Sequence, residues 1–179
     1  KGLDLWQGDS TTQTGKSGPM DWGCNWRAFP YGTFTCLDNP DDIFRCFQNW
    51  TWNKLFRAEF VQREGLRFDE VQRCADLYFV MCALVSATAI RCVPEQLYFY
   101  RTNNPTSNIA TCDRAPLDFY KSFERTHDWL VRRGVYEPVA KAFRNWAIGA
   151  VFSNFCQLRS WNAFCELYDY LRADDCARL

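Results

Sequence analysis

Ten cysteines and one histidine are the first residues in this chain of 179 whose types could ligate a metal or perform thiol or imidazole chemistry. The cysteines stand at 24, 36, 46, 74, 82, 92, 112, 156, 165 and 176; no two are closer than eight residues, and no Cys-x-x-Cys occurs. Zinc sites are normally built from closely spaced cysteine or histidine pairs, and a lone His127 cannot complete the mixed kind. A four-cysteine site would have to be gathered from scattered positions. Several cysteines instead fall in apolar stretches, such as Cys82 among Val80, Met81, Ala83 and Leu84, where a free thiol acts as a small hydrophobe. That usage predicts a reducing, cytoplasmic compartment. Hydrolase-type nucleophilic catalysis is not expected. There is no Gly-x-Ser-x-Gly turn, and His127 sits beside Glu124 and Asp128 on a polar helix face, as a solvated histidine would. The glycine-rich loops that cradle phosphates are absent as well.

The elements that must position any site follow from composition and periodicity. Hydrophobic residues make up 47% and aromatics 17% of the chain, enough to bury a core. Basic and acidic residues, 21 of each, cancel. The balance disfavours nucleic acid as a partner and an acidic disordered chain alike. Glycine, serine, threonine and proline dominate 1–40, which reads as a loop-rich segment with Trp6, Trp22 and Trp26 as docking points. A short helix is predicted over 41–47 from the cap-like Asn39-Pro40-Asp41-Asp42, and a second over 57–64, stopped by Gly65. After an extended piece at 66–69, a long helix over 71–87 carries Leu77, Val80, Met81, Leu84 and Val85 at three- and four-residue steps. Two short strands, 89–93 and 96–101, precede a polar loop at 103–108. Helices are predicted over 116–133, 137–157 and 160–173. The longest apolar run, over 77–90, is interrupted by cysteine, serine and threonine and falls short of a membrane span. The expectation is a predominantly α-helical α/β chain in three parts: 1–40, 41–113 and a C-terminal helical bundle at 114–179.

The most informative stretch lies between these strands and helices. In order it reads Trp52-Asn53-Lys54-Leu55-Phe56, Gly65-Leu66-Arg67-Phe68, Ala75-Asp76-Leu77-Tyr78-Phe79 and Leu97-Tyr98-Phe99-Tyr100-Arg101, with a trailing Ser107. This succession resembles the second half of family 2 glycosyltransferases of the GT-A fold, especially bacterial enzymes of capsule, cell-wall and exopolysaccharide synthesis. Their pattern there is a W-N-K-L-[FY] element, a G-L-x-F strand, an E-D-x-x-F helix start, and an l-Y-x-Y-R strand followed by serine.

The resemblance implies that Asp76 is the general base that takes the proton of an acceptor hydroxyl, in an inverting transfer without a covalent intermediate. The family's preceding glutamate is replaced by Ala75. Arg101 and Ser107 match the strand and loop that face the sugar-nucleotide diphosphate, where a guanidinium can fork onto phosphate oxygens. Asn53 and Lys54 match the positions beside the site, and Trp52, with Trp50, could stack on an acceptor sugar. Each also has a plainer role: Asp76 as an acid at a helix start, Arg101 as a partner of Glu95, the tryptophans in a core. The family's nucleotide-binding half, with its V-D-D-G-S-type loop and D-x-D metal motif, has no counterpart in 1–50.

The chain is therefore expected to be an α/β fragment, the acceptor-side and C-terminal portion of a GT-A enzyme, inactive by itself. No cofactor is expected here, while the complete enzyme would use a divalent metal, magnesium or manganese. Nucleotide-sugar donor, saccharide acceptor and a missing N-terminal half or partner protein are the implied partners; nucleic acid is not among them. The implied location is the cytoplasm, with peripheral contact at the inner face of the membrane left open. The competing expectation is a non-catalytic helical interaction module. Two apolar faces, one with Phe143, Trp146 and Phe155 and one with Trp161, Phe164 and Tyr168, would then bind a partner protein.

Overall fold

The computed structural model describes residues 5–7, 11–13, 16–18, 28–29, 32–93 and 112–173. It is predominantly helical with a small mixed sheet. The helices are α1 (Ile43–Cys46), α2 (Ala58–Glu64), α3 (Ala75–Ser86), α4 (Asp118–Arg132), α5 (Ala140–Gln157) and α6 (Trp161–Arg172). The strands are β1 (Leu5–Gln7), β2 (Thr11–Gln13), β3 (Lys16–Gly18), β4 (Thr33–Phe34), β5 (Lys54–Phe56) and β6 (Ile90–Cys92).

α3 is apolar around most of its circumference: Leu77, Phe79, Val80, Met81, Cys82, Ala83 and Leu84 are all buried. Such a helix belongs at the centre of a core, and α4 packs along it. α4 is amphipathic, burying Phe119, Tyr120, Phe123, Thr126, Trp129 and Leu130 at three- and four-residue steps. α5 crosses α4 and α1, seating Phe143 against Phe44 and Phe123 at ring separations of 6.3 and 5.6 Å. α6 buries only Ala163 and Leu167. Its start is capped by the Ser160 hydroxyl, which accepts from the Ala163 N–H at 3.4 Å. Gly65 ends α2 in the left-handed conformation at φ 63°, where a side chain would be strained.

The expected helix over 71–87 starts late, at Ala75. Cys74 sits at φ 58°, outside the right-handed helical region, so no helix can run through it. The preceding backbone is spent elsewhere: the N–H groups of Gln72 and Arg73 both donate to the Asp118 carboxylate, at 2.9 and 3.0 Å. The extended piece at 66–69 forms no strand, although Leu66 and Asp69 are buried.

The larger sheet runs β4-β6-β1-β5. β1 lies parallel to β6, with Leu5 opposite Ile90, and antiparallel to β5, with Leu5 opposite Phe56. A three-residue strand inside the segment that reads as loop therefore holds an inner place in the sheet. Its pairing partners are distant in sequence, and three residues carry no alternation that periodicity can detect. β2 and β3 form a separate two-stranded ribbon. Of the two expected strands, β6 falls within 89–93; the strand at 96–101 lies outside the described residues. Among the described residues, no helix is long and apolar enough to cross a membrane.

Candidate functional site

The turn that leads into β5 is built around a buried amine. Lys54 is only 5% exposed. Its Nζ donates to the carbonyls of Gln48 and Trp50, both at 2.6 Å, and to Asn53 Oδ1 at 2.9 Å. A lysine ammonium has three N–H donors, and all three are placed, which is what a buried charge requires. The segment 48–53 thus wraps Lys54, and the Trp50 and Trp52 rings stack at 4.9 Å and 18°. Asn53 is 1% exposed; its Oδ1 faces Lys54, while its Nδ2 has no hydrogen-bond partner among the described residues. An orphaned buried donor costs about 1–3 kcal/mol.

Asp76 enters the same neighbourhood from the first turn of α3. Asn49 Nδ2 lies 3.5 Å from Asp76 Oδ1, at the long limit of a hydrogen bond. Burial pushes the Asp76 carboxyl above the usual aspartate range, against the backbone N–H groups of Asp76 and Leu77 and the nearby Lys54 charge, which pull it down. The structure therefore brings Asn53 and Lys54 into the neighbourhood of Asp76, and Trp52 stacks on Trp50 in the same turn. Arg101 and Ser107 lie outside the described residues. Asn49, not among the expected site residues, is the residue that joins the turn to the helix. The signal for it is the amide- and aromatic-rich run Gln48-Asn49-Trp50-Thr51-Trp52-Asn53.

A second polar cluster, invisible in the sequence, ties the segment that leads into α3 to α4 and α5. Buried Asp69 accepts from the Ser122 hydroxyl at 2.8 Å and pairs with Arg125. Arg73 reaches the Cys112 and Ala115 carbonyls and Asn154 Oδ1, each at 3.3 Å. Both buried charges are satisfied internally, and the cluster fixes the corner between residue 69 and α3.

His127 departs from expectation. It is half-buried, edge-on to Tyr136 at 4.7 Å and tilted against Phe143 at 5.9 Å, so it belongs to the aromatic packing rather than to a solvated face. Among the described residues eight cysteines are free. Burial drives their thiols up where a shift is resolved: Cys46 and Cys74 each to about 11, and Cys82 further still. These thiols are protonated and inert at neutral pH. Among the described residues, no group of three or more His, Cys, Asp or Glu is placed to hold a metal ion.

Compared with known proteins, the chain matches no protein-family model and no curated protein.

Proposed function

We propose that this chain is the acceptor-side portion of an inverting, nucleotide-sugar-dependent glycosyltransferase of the GT-A type, acting in surface polysaccharide synthesis at the cytoplasmic face of a membrane. The observation that supports it is the meeting of Asp76 with the Asn49–Lys54 turn. A carboxyl whose basicity burial raises lies within reach of the Lys54 charge, and the buried Asn53 amide in the same turn has a donor with no partner among the described residues. Raised basicity suits a general base.

In this reading the acceptor O–H bond breaks as its proton passes to Asp76. The oxygen forms a bond to the anomeric carbon, and the bond to the nucleoside diphosphate breaks with its electron pair leaving on the diphosphate. Lys54 and Asn53 hold the turn against Asp76, and Trp50 and Trp52 flank the acceptor. Arg101 and Ser107 would contact the donor diphosphate. The divalent ion, magnesium or manganese, would come with the nucleotide-binding half. The described residues offer it no ligand set, and no step here runs through it.

The test is Asp76→Asn in the intact transferase. Turnover should fall by about 100- to 10,000-fold with donor binding retained; unchanged turnover removes Asp76 from the base role. The 179 residues alone should turn over no nucleotide sugar, and turnover by them would refute the division into halves.

A second reading, a non-catalytic helical interaction module, draws on α5 and α6. Ile148, Phe152, Trp161 and Tyr168 are exposed there, and Trp161, Phe164 and Tyr168 lie near-parallel along one face.

A further inference from the structure

We infer that the cavity between α1 and α5 is a binding pocket for one uncharged sugar ring. It is about 350 Å³ in volume, within the size range of small-ligand sites. Its choice of a saccharide over other flat neutral rings rests on the acceptor-side reading above. Three features of the cavity define the ligand.

The first is its aromatic wall. Trp146 is half-buried and lines the cavity, with its indole anchored by Phe44 at 5.5 Å and Phe123 at 6.1 Å. An anchored indole is a rigid apolar platform, and the C–H face of a pyranose is the complementary surface. The second is charge. The cavity carries two acids and two bases, and they are already matched: Lys141 pairs with Asp41, and Arg45 Nε donates to Asp42 Oδ1 at 2.7 Å. The lining is neutral in sum, so it offers no net attraction to a phosphate or an amine. Its remaining lone pairs and N–H groups, with the Asn145 amide, suit hydroxyls.

The third is Gly149. It stands inside the 18-residue α5, where glycine is unfavourable relative to alanine. Nothing lies within 4 Å of the Cβ it lacks, so no neighbour in the fold demands its smallness. It lines the cavity, and its bare backbone leaves room there for a ligand to approach the helix. Gln48 links this pocket to the Lys54 turn, since its carbonyl accepts from Lys54 Nζ.

The experiment is titration of the 179-residue chain, without nucleotide sugar, with glucose, N-acetylglucosamine and their disaccharides, followed by calorimetry and saturation-transfer NMR. Glucose 6-phosphate and uridine serve as charged and nucleoside controls. Neutral sugars should bind in the millimolar range, and Asn145→Ala should weaken them. Gly149→Leu should weaken them by about tenfold or more with an unchanged or higher melting temperature, which separates filling of the pocket from loss of fold. The inference is overturned if no neutral sugar binds, if Gly149→Leu binds as the parent does, or if either control binds more tightly. Because no transfer is read, this outcome is separate from the turnover of Asp76→Asn. A chain that binds sugars in a transferase that tolerates Asp76→Asn would keep the pocket and lose the base.

Discussion

Asp76 and Lys54 sit in one neighbourhood yet contribute to folding with opposite signs. The Asp76 carboxyl has its pKa raised by burial, so in the folded chain it binds its proton more tightly than in the unfolded one. Stability from this group is therefore present at acid pH and falls as pH rises from the ordinary aspartate range through the raised folded value. Asp76→Asn should raise the melting temperature at pH 7 and lose that advantage as the buffer approaches pH 3. A melting temperature lower than the parent's at pH 7 would contradict it. Lys54 is the reverse case. Lys54→Met removes a charged donor from two carbonyls and Asn53 Oδ1. It should cost about 3 kcal/mol in urea denaturation, as expected for a buried charged hydrogen-bond set. A group whose removal stabilises the fold while abolishing turnover has been retained for chemistry; one whose removal unfolds the turn has been retained for position. Asp76, Asn53 and Lys54 could be picked out from sequence, but the orphaned Asn53 Nδ2 could not, because it arises from which way one amide faces.

The elements divide by how local their causes are. α4, α5 and α6 fall close to the predicted spans, since the apolar residues that each buries lie within its own consecutive turns, and Ser160 caps the start of α6. The start of α3 was hidden because Asp118, more than forty residues on, captures the backbone of Gln72 and Arg73. β1 was hidden for a similar reason: its hydrogen bonds go to β5 and β6, and nothing within its own three residues announces a strand. α5 also carries a testable irregularity. Gly149→Ala adds a methyl group that meets nothing within 4 Å and removes a helix-interior glycine, so it should stabilise the chain by about 0.5–1 kcal/mol. Thermal denaturation followed by circular dichroism at 222 nm would detect the gain.

At the scale of the molecule, one core joins the sheet to the helices: Phe34 and Ile90 from the strands share it with α3, Phe143 and Leu167. The sheet is completed only by the chain's early residues. Deleting 1–7 removes β1 from between its two neighbours and leaves β5 and β6 with unpaired edges. The shortened chain should elute as aggregates in size-exclusion chromatography, whereas a monodisperse, fully helical product would show the sheet to be dispensable. The C-terminal helices are legible from sequence because their apolar spacing is local; the sheet, β6 apart, is not, because its strands pair across long stretches of sequence.

That placement of β1 also sets an order of events during synthesis. Leu5–Gln7 is translated well before Lys54–Phe56, and before Ile90–Cys92 by more than eighty residues. At ribosomal speeds of about 5–20 residues per second, the strand waits roughly 4–17 s for its parallel neighbour. For that interval it is an open hydrogen-bonding edge on a nascent chain, the state in which a chaperone or a neighbouring ribosome's product competes for it.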